Sequence, residues 1–198
     1  LTTSFLRQAA AGLRVLLALT VVVGAGYPLA VWAVAHLAFP GQADGSKVTE
    51  HGRTVGSSLL GQDFAGRQWF HSRPSAAGAD GGYDALASGA SNLGPTNGEL
   101  LAQVRQRRTA AAARDGTAPS RVPADALTAS ASGLDPHISP AYARQQAPRV
   151  ATARGLAGRR VRALVDGHVE GRVLGFLGEP RVNVLELNLA LAQLARKG

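Results

Sequence analysis

The sequence predicts a single N-terminal transmembrane helix joined to a small, helix-rich α+β extracytoplasmic domain with a few short strands. Three observations carry this expectation. Residues 15–39 contain no charge and few polar groups. Beyond them the chain is polar and rich in small residues, yet it keeps enough leucine and valine for one modest core. Helix caps and apolar residues at helical spacing then recur after residue 95. A length of 198 residues suits one domain plus an appendage and leaves no room for a multidomain enzyme.

Residues 1–14 carry Arg7 and Arg14 and no acid, so the positive-inside bias makes them a cytoplasmic N-terminus and places the rest of the chain outside. Residues 15–39 form the transmembrane helix. At about 1.5 Å per residue, this length exceeds a hydrocarbon core of roughly 30 Å and crosses it with some tilt. Pro28 is expected to kink it, and neighbouring helices can satisfy the carbonyl that a proline frees. Gly24, Ala25, Gly26, Ala30, Ala33 and Ala35 are small enough to let another helix approach closely. Ala33-Val34-Ala35 also has the form of a signal-peptide cleavage site, so a free exported binding module released after Ala35 is the alternative. Against it, the apolar run exceeds twenty residues, longer than the apolar region of a cleaved signal, roughly 7–15 residues. A buried core helix is a third reading, and it conflicts with the absence of any polar face.

Residues 40–58, with four glycines and a pair of serines, read as a connector, and residues 59–198 as the extracytoplasmic domain. From 59 to 95, structure breakers outnumber any periodic signal, which leaves at most short strands around 57–60 and 68–70. Thr96-Asn97-Gly98-Glu99 fits a capping box with Thr96 as the cap. The helix it opens shows Leu100, Leu101, Val104 and Arg108 at helical spacing and ends at Asp115-Gly116. Ser139-Pro140, a cap followed by proline in the first helical position, starts a second helix that runs to Arg154 before Gly155. Residues 158–168 fit two patterns: a hairpin turning at Asp166-Gly167, or a helix with Val161, Leu164, Val165 and His168 on one face. The helix is favoured. A short strand pair is expected over 172–176 and 180–184. Val184, Leu187, Leu191 and Leu194 then form one face of a closing helix.

The formal charge of +8 comes from 19 arginines and two lysines against 13 acids, a balance that suggests nucleic acid or an anionic surface as partner. Helix, Gly155, helix, with arginines at 144, 149, 154, 159, 160 and 162, superficially resembles a helix-turn-helix DNA binder. That role conflicts with an extracytoplasmic location, and the arginines suit solvated faces and helix C-termini. Cysteine is absent, which excludes disulfides, thiolate metal sites and cysteine nucleophiles. No phosphate-binding glycine loop and no paired-histidine metal spacing occurs. Ser75, His71 and Asp63 lie near one another in sequence, but a triad is defined by spatial geometry. More telling are Arg73-Pro74-Ser75, the stretch 92–97 and the stretch 132–139. They concentrate Gly, Pro, Asn and Asp, the residues of special backbone angles and side-chain-to-backbone turns.

Those strings closely resemble the KdpC family, the C subunits of Kdp potassium-transporting P-type ATPases. The resemblance takes in Tyr27-Pro28, Gly61-Gln62-Asp63-Phe64, Phe70-His71-Ser72-Arg73-Pro74-Ser75-Ala76, Ser88-Gly89-Ala90-Ser91-Asn92-Leu93 and the stretches 127–135, 149–151 and 178–191. Ala90 and Gly98 depart from the family pattern, both within turns. The resemblance implies a cell-membrane, single-pass, non-catalytic accessory subunit. It would assemble and stabilise a high-affinity potassium uptake complex with two partners, a channel-like potassium-translocating subunit and an ATP-hydrolysing P-type subunit. It implies no tightly bound cofactor and no nucleic acid. The family is also described as a catalytic chaperone that raises the ATP affinity of the hydrolysing subunit through a ternary complex. Carried onto this chain, that role implies Gln146 as a nucleotide contact, with Arg149 as its phosphate partner. It sits awkwardly with an extracytoplasmic domain, because ATP is cytoplasmic.

Overall fold

The computed structural model describes residues 2–78 and 82–196, in two compact units, Leu1–Lys47 and Val48–Gly198. The first unit is helical. Helix α1 (Thr2–Val21), a π-helical turn (Val22–Gly26) and helix α2 (Tyr27–Ala38) follow without a break. Together they give a helix, Thr3–Ala38, long and apolar enough to cross a membrane. None of its most apolar stretch is buried, so it is not a core helix. It starts well ahead of residue 15, because nothing between Thr2 and Arg14 stops a helix except the single glycine Gly12. Proline lacks the N–H that would reach back one turn, and its ring crowds the carbonyl four residues earlier. Around Pro28 the chain answers with the π turn, in which the Tyr27 N–H bonds the Val22 carbonyl. Thr20 Oγ1 donates to the Leu16 carbonyl at 2.8 Å, and the His36 ring bonds the Trp32 carbonyl through Nδ1 at 2.9 Å. Both polar side chains are thereby satisfied inside their own helix, as hydrocarbon requires. A short helix α3 (Pro40–Ala43) follows.

The stretch that composition reads as a connector holds a β-hairpin. Strands β1 (Lys47–Glu50) and β2 (Arg53–Ser57) pair across His51 and Gly52, whose φ angles of 50° and 76° give the turn that two-residue hairpins prefer. Val48, Thr49, Thr54 and Val55 supply the β-branched residues that the surrounding glycines and serines conceal. No strand forms at 57–60, where β2 ends at Ser57 and a turn follows, and none forms at 68–70.

Helix α4 (Gly98–Asp115) begins one residue later than Thr96 would place it. Asn97 is the cap, its Oδ1 accepting from the Glu99 N–H at 2.8 Å, because an Asx side chain reaches a backbone donor two residues on. Gly116 closes the helix in the left-handed region, φ 65°. The buried face of α4 is Ala111, Ala112 and Asp115; the leucines near its start are half-buried or exposed. Helix α5 (Pro140–Arg154) starts at the expected cap, with Ser139 Oγ accepting from the Tyr142 N–H at 3.0 Å, and ends on Gly155. Helix α6 (Gly158–Gly167) decides the ambiguous stretch in favour of helix, with Val161 and Val165 fully buried.

The expected pairing of 172–176 with 180–184 is replaced by two isolated bridges, 170 with 181 and 173 with 177. Strand β4 (Val182–Asn183) instead pairs antiparallel with β3 (His137–Ile138), His137 opposite Asn183. Val182 and Asn183 are buried, and only a partner inside the domain satisfies their backbone. Helix α7 (Val184–Arg196) closes the domain with Val184, Leu187 and Leu191 buried and Leu194 half-buried. Phe70, Tyr142, Val150, Val161, Val165, Leu187 and Leu191 form the centre of the core. Removing each leucine from water stabilises the fold by about 1.5–3 kcal/mol.

Candidate functional site

Gln146 and Arg149, three residues apart on α5, share its buried face, and they are 0% and 5% exposed. Arg149 Nε donates to Asp115 Oδ1 at 2.8 Å, linking α5 to the end of α4. The same guanidinium donates to the carbonyl of Arg67, to that of Trp69 at 2.9 Å and to Gln146 Oε1 at 2.8 Å. Gln146 holds His71 on both sides: its Oε1 accepts from the His71 N–H at 2.7 Å, and its Nε2 donates to the His71 carbonyl at 3.1 Å. Asn188 on α7 does the same to Phe70, with both bonds at 2.9 Å. Arg154 Nε bonds the Gln68 carbonyl at 2.8 Å, and its guanidinium lies 4.1 Å from the centre of the Trp69 ring.

Five consecutive carbonyls, 67 to 71, therefore accept from side chains of α5 and α7. This explains why 68–70 has the apolar pattern of a strand without being one: its ladder partners are amides and guanidinia. Burial disfavours the charge on Arg149, and its bond to the buried Asp115 opposes that effect. Asp115 also accepts from Gln145 Nε2 at 3.0 Å. Sequence reasoning missed the roles of Asp115 and Asn188. Asn188 carried a legible signal: four residues after Val184 and three before Leu191, it is a polar residue on the apolar face of the closing helix.

Beside this network lies a cleft of about 230 Å³ lined by Asp63, His71, Arg73 and Ser75 and by Arg107, Arg114 and Tyr142. Ala110 and Ala111, small residues between Arg107 and Arg114 on α4, also line it. The cleft gathers Ser75, His71 and Asp63, but not as a relay. Ser75 Oγ lies 2.9 Å from the Gly82 carbonyl and 2.6 Å from that of Gly133, His71 Nε2 bonds the Gly66 carbonyl, and Asp63 accepts from the Tyr83 N–H. Burial, and then repulsion by Arg114 and Arg149, hold the His71 ring down at about 4. A nucleophile needs a base within hydrogen-bond reach, and these side chains are turned to other partners.

Two of the turn-rich strings, 73–75 and 132–139, meet in a second network, while Asn97 of the third caps α4. Arg73 Nη1 bonds Asp135 Oδ2 at 3.0 Å, and Tyr83 Oη lies within hydrogen-bond distance of the Arg73 and Asp135 carbonyls. Burial drives the Tyr83 phenol up to about 12. Burial alone would raise the Asp135 carboxyl, but hydrogen bonds from His137 and Arg73 bring it down to about 2. Gly133 sits at φ 69°, where a Cβ would collide with Ala77 and the Gly89 carbonyl, so that turn requires glycine.

The arginines of the helix, Gly155, helix segment divide. Arg149 is buried, Arg144 pairs with Asp166 at 2.8 Å, and Arg154 caps Trp69, while Arg159, Arg160 and Arg162 are exposed. The apolar face of α6 is packed into the core. Gly24 and Gly26 have room for a methyl group, with no heavy atom closer than 3.7 Å to the added carbon, so the helix itself does not require glycine there.

Residues 9–193 match the family model described as KdpC, the c chain of K+-transporting ATPases. The chain is 61% identical over 193 residues to the potassium-transporting ATPase KdpC subunit of Kineococcus radiotolerans, covering 98% of this chain and 97% of the relative. It is 57% identical over 173 residues to the subunit of that name from Caulobacter vibrioides, covering 87% and 86%, and 51% identical over 189 residues to that from Mycobacterium bovis, covering 95% and 99%. The match takes in the apolar helix, both side-chain networks and the closing helix, and the chain belongs to the KdpC family.

Proposed function

We propose that this chain is a non-catalytic accessory subunit of an ATP-driven potassium uptake complex, assembling and stabilising a channel-like subunit and an ATP-hydrolysing subunit. Family membership over almost the whole chain is the observation that carries this reading. The helix Thr3–Ala38 anchors the subunit in the cell membrane. Arg7 and Arg14 hold its start on the cytoplasmic side, and the domain from Val48 onward lies on the extracytoplasmic side. The groups the domain gathers in its interior serve its own fold. Gln146 and Arg149 act as braces of residues 67–71, and a nucleotide would reach them only by displacing the backbone of His71 and the carboxylate of Asp115. An influence on ATP affinity then passes through the partner subunits.

Isolation of the tagged chain from native membranes tests the reading and should bring down both partner subunits. Recovery of a lone soluble product cut after Ala35 would overturn it in favour of a free exported module. Photolabelling of the assembled complex with an azido-ATP should leave Gln146 and Arg149 unmodified, and label on either would restore a direct nucleotide contact.

A further inference from the structure

The amide and guanidinium groups of Gln146 and Arg149 are taken up by the fold, but the cleft beside them is bordered by donors that the fold leaves unspent. Tyr142 is 2% exposed, and its Oη accepts from Arg114 Nη2 at 2.6 Å. Among the described residues nothing accepts the Tyr142 hydroxyl proton, and burial pushes the phenol above its ordinary value, so the proton stays on oxygen. A buried donor without an acceptor is costly, and this one lines the cleft. Arg114 spends its Nε on Asp115 Oδ1 at 3.4 Å, the same oxygen that Arg149 Nε reaches at 2.8 Å. One buried carboxylate therefore serves two guanidinium groups. Arg107 gives Nη1 to the Leu127 carbonyl at 3.1 Å and pairs with no carboxylate among the described residues. Partial burial disfavours its charge, and no neighbouring group offsets that effect.

We propose that this cleft binds a small free oxyanion of the phosphate class, held by Arg107, Arg114 and Tyr142. Arg107 and Arg114 stand two turns apart on α4, about 10 Å along its axis, and Ala110 between them leaves the space open. A guanidinium presents its N–H groups as a fork that matches phosphate oxygens, and the phenol adds a third donor. Two cations without a carboxylate of their own favour a dianion over a monocarboxylate. Of the other charged lining residues, Arg73 is paired with Asp135 at 3.0 Å. Asp63, the one carboxylate of the lining, is exposed, and its Oδ2 accepts from the Tyr83 N–H at 3.2 Å. The volume of about 230 Å³ is below the roughly 300–1,000 Å³ of pockets that enclose drug-sized ligands, so it suits an ion and not a nucleotide. The proposal does not depend on the accessory-subunit reading.

Calorimetric titration of inorganic phosphate into the full chain in phosphatidylcholine nanodiscs, at constant ionic strength, tests it. Saturable binding of one phosphate per chain is expected, with acetate at least tenfold weaker and chloride without effect. Tyr142→Phe keeps the buried ring and removes the donor, and it should weaken phosphate at least tenfold. Ala110→Glu puts a carboxylate three residues after Arg107 and four before Arg114, at the spacings where helical side chains pair. It should abolish phosphate binding and raise the melting temperature measured without phosphate, a gain that a misfolded variant could not show. Equal heats from chloride would reduce the effect to screening of the +8 chain, an adventitious ion only, and would overturn the proposal. Wild-type phosphate affinity in both variants would place the ion elsewhere and overturn it as well. Loss of phosphate binding in nanodiscs rich in phosphatidic acid would give the site to a lipid headgroup and refute a free ion.

Discussion

Asn188 and Gln146 show how much a single buried amide can decide in a small domain. Each makes one donor and one acceptor bond to the backbone of one residue, a pattern that only a carboxamide of the right length supplies. Asn188→Ala leaves the Phe70 N–H and carbonyl buried and unpaired. At about 1–3 kcal/mol for each of the two stranded groups, the loss is about 2–6 kcal/mol, read as a lowered urea midpoint. Asp115→Asn leaves the Arg149 guanidinium buried without its counter-charge and should cost about 3–5 kcal/mol. His71 adds a pH dependence. Its folded value of about 4 lies below the ordinary 6.5, so the unfolded chain binds the proton more readily. That contribution to stability is complete above pH 6.5 and is lost as the pH falls toward 4. Asp135, held at about 2, adds a second loss as the pH falls from 3.8 toward 2. Thermal melts from about pH 7 down to about pH 2 should show His71→Gln flattening the first slope and leaving the second in place.

At the scale of elements, the long helices were legible and the strand pairings were not. Ser139-Pro140 with Gly155, and Asp115-Gly116, are local signals that act within one turn, and the structure places helix ends at them. The sequence pattern sets the cap of α4 one residue early because Thr96 and Asn97 both satisfy the local rule; the geometry chooses the Asn. Asn97→Ala should therefore lower stability by about 1 kcal/mol and Thr96→Ala by much less, with the difference visible as faster amide exchange in the first turn of α4. Strand partners are nonlocal. The extended run 68–70 and its neighbour His71 take hydrogen bonds from residues 75 to 118 positions away, and the pairing of β4 with β3 joins distant segments, with Ile138 opposite Val182. No local pattern encodes such choices.

For the whole molecule, the two units obey different solvents. All core residues of the second unit lie beyond Val48. A chain of residues 48–198 alone should consequently fold and melt cooperatively in water, and a molten, non-cooperative product would show that the domain depends on its anchor. A protease added outside intact cells should digest the same residues, while protection would reverse the proposed orientation. The arginine-rich charge takes its meaning from this division. Arg7 and Arg14 bear on topology, and much of the remainder is used inside the domain, on carbonyls, carboxylates and one indole ring.

By itself, the sequence determined the apolar helix, the soluble helices with most of their ends, and the family, because each is written in contiguous patterns or ordered motifs. The tertiary structure alone decided what Gln146 and Arg149 touch, which strands pair, and that Tyr142 lines one cleft with Arg107 and Arg114. Those outcomes depend on which distant groups arrive at one place. Burial makes the backbone take whatever partners are there, here the side chains of two helices in place of a neighbouring strand.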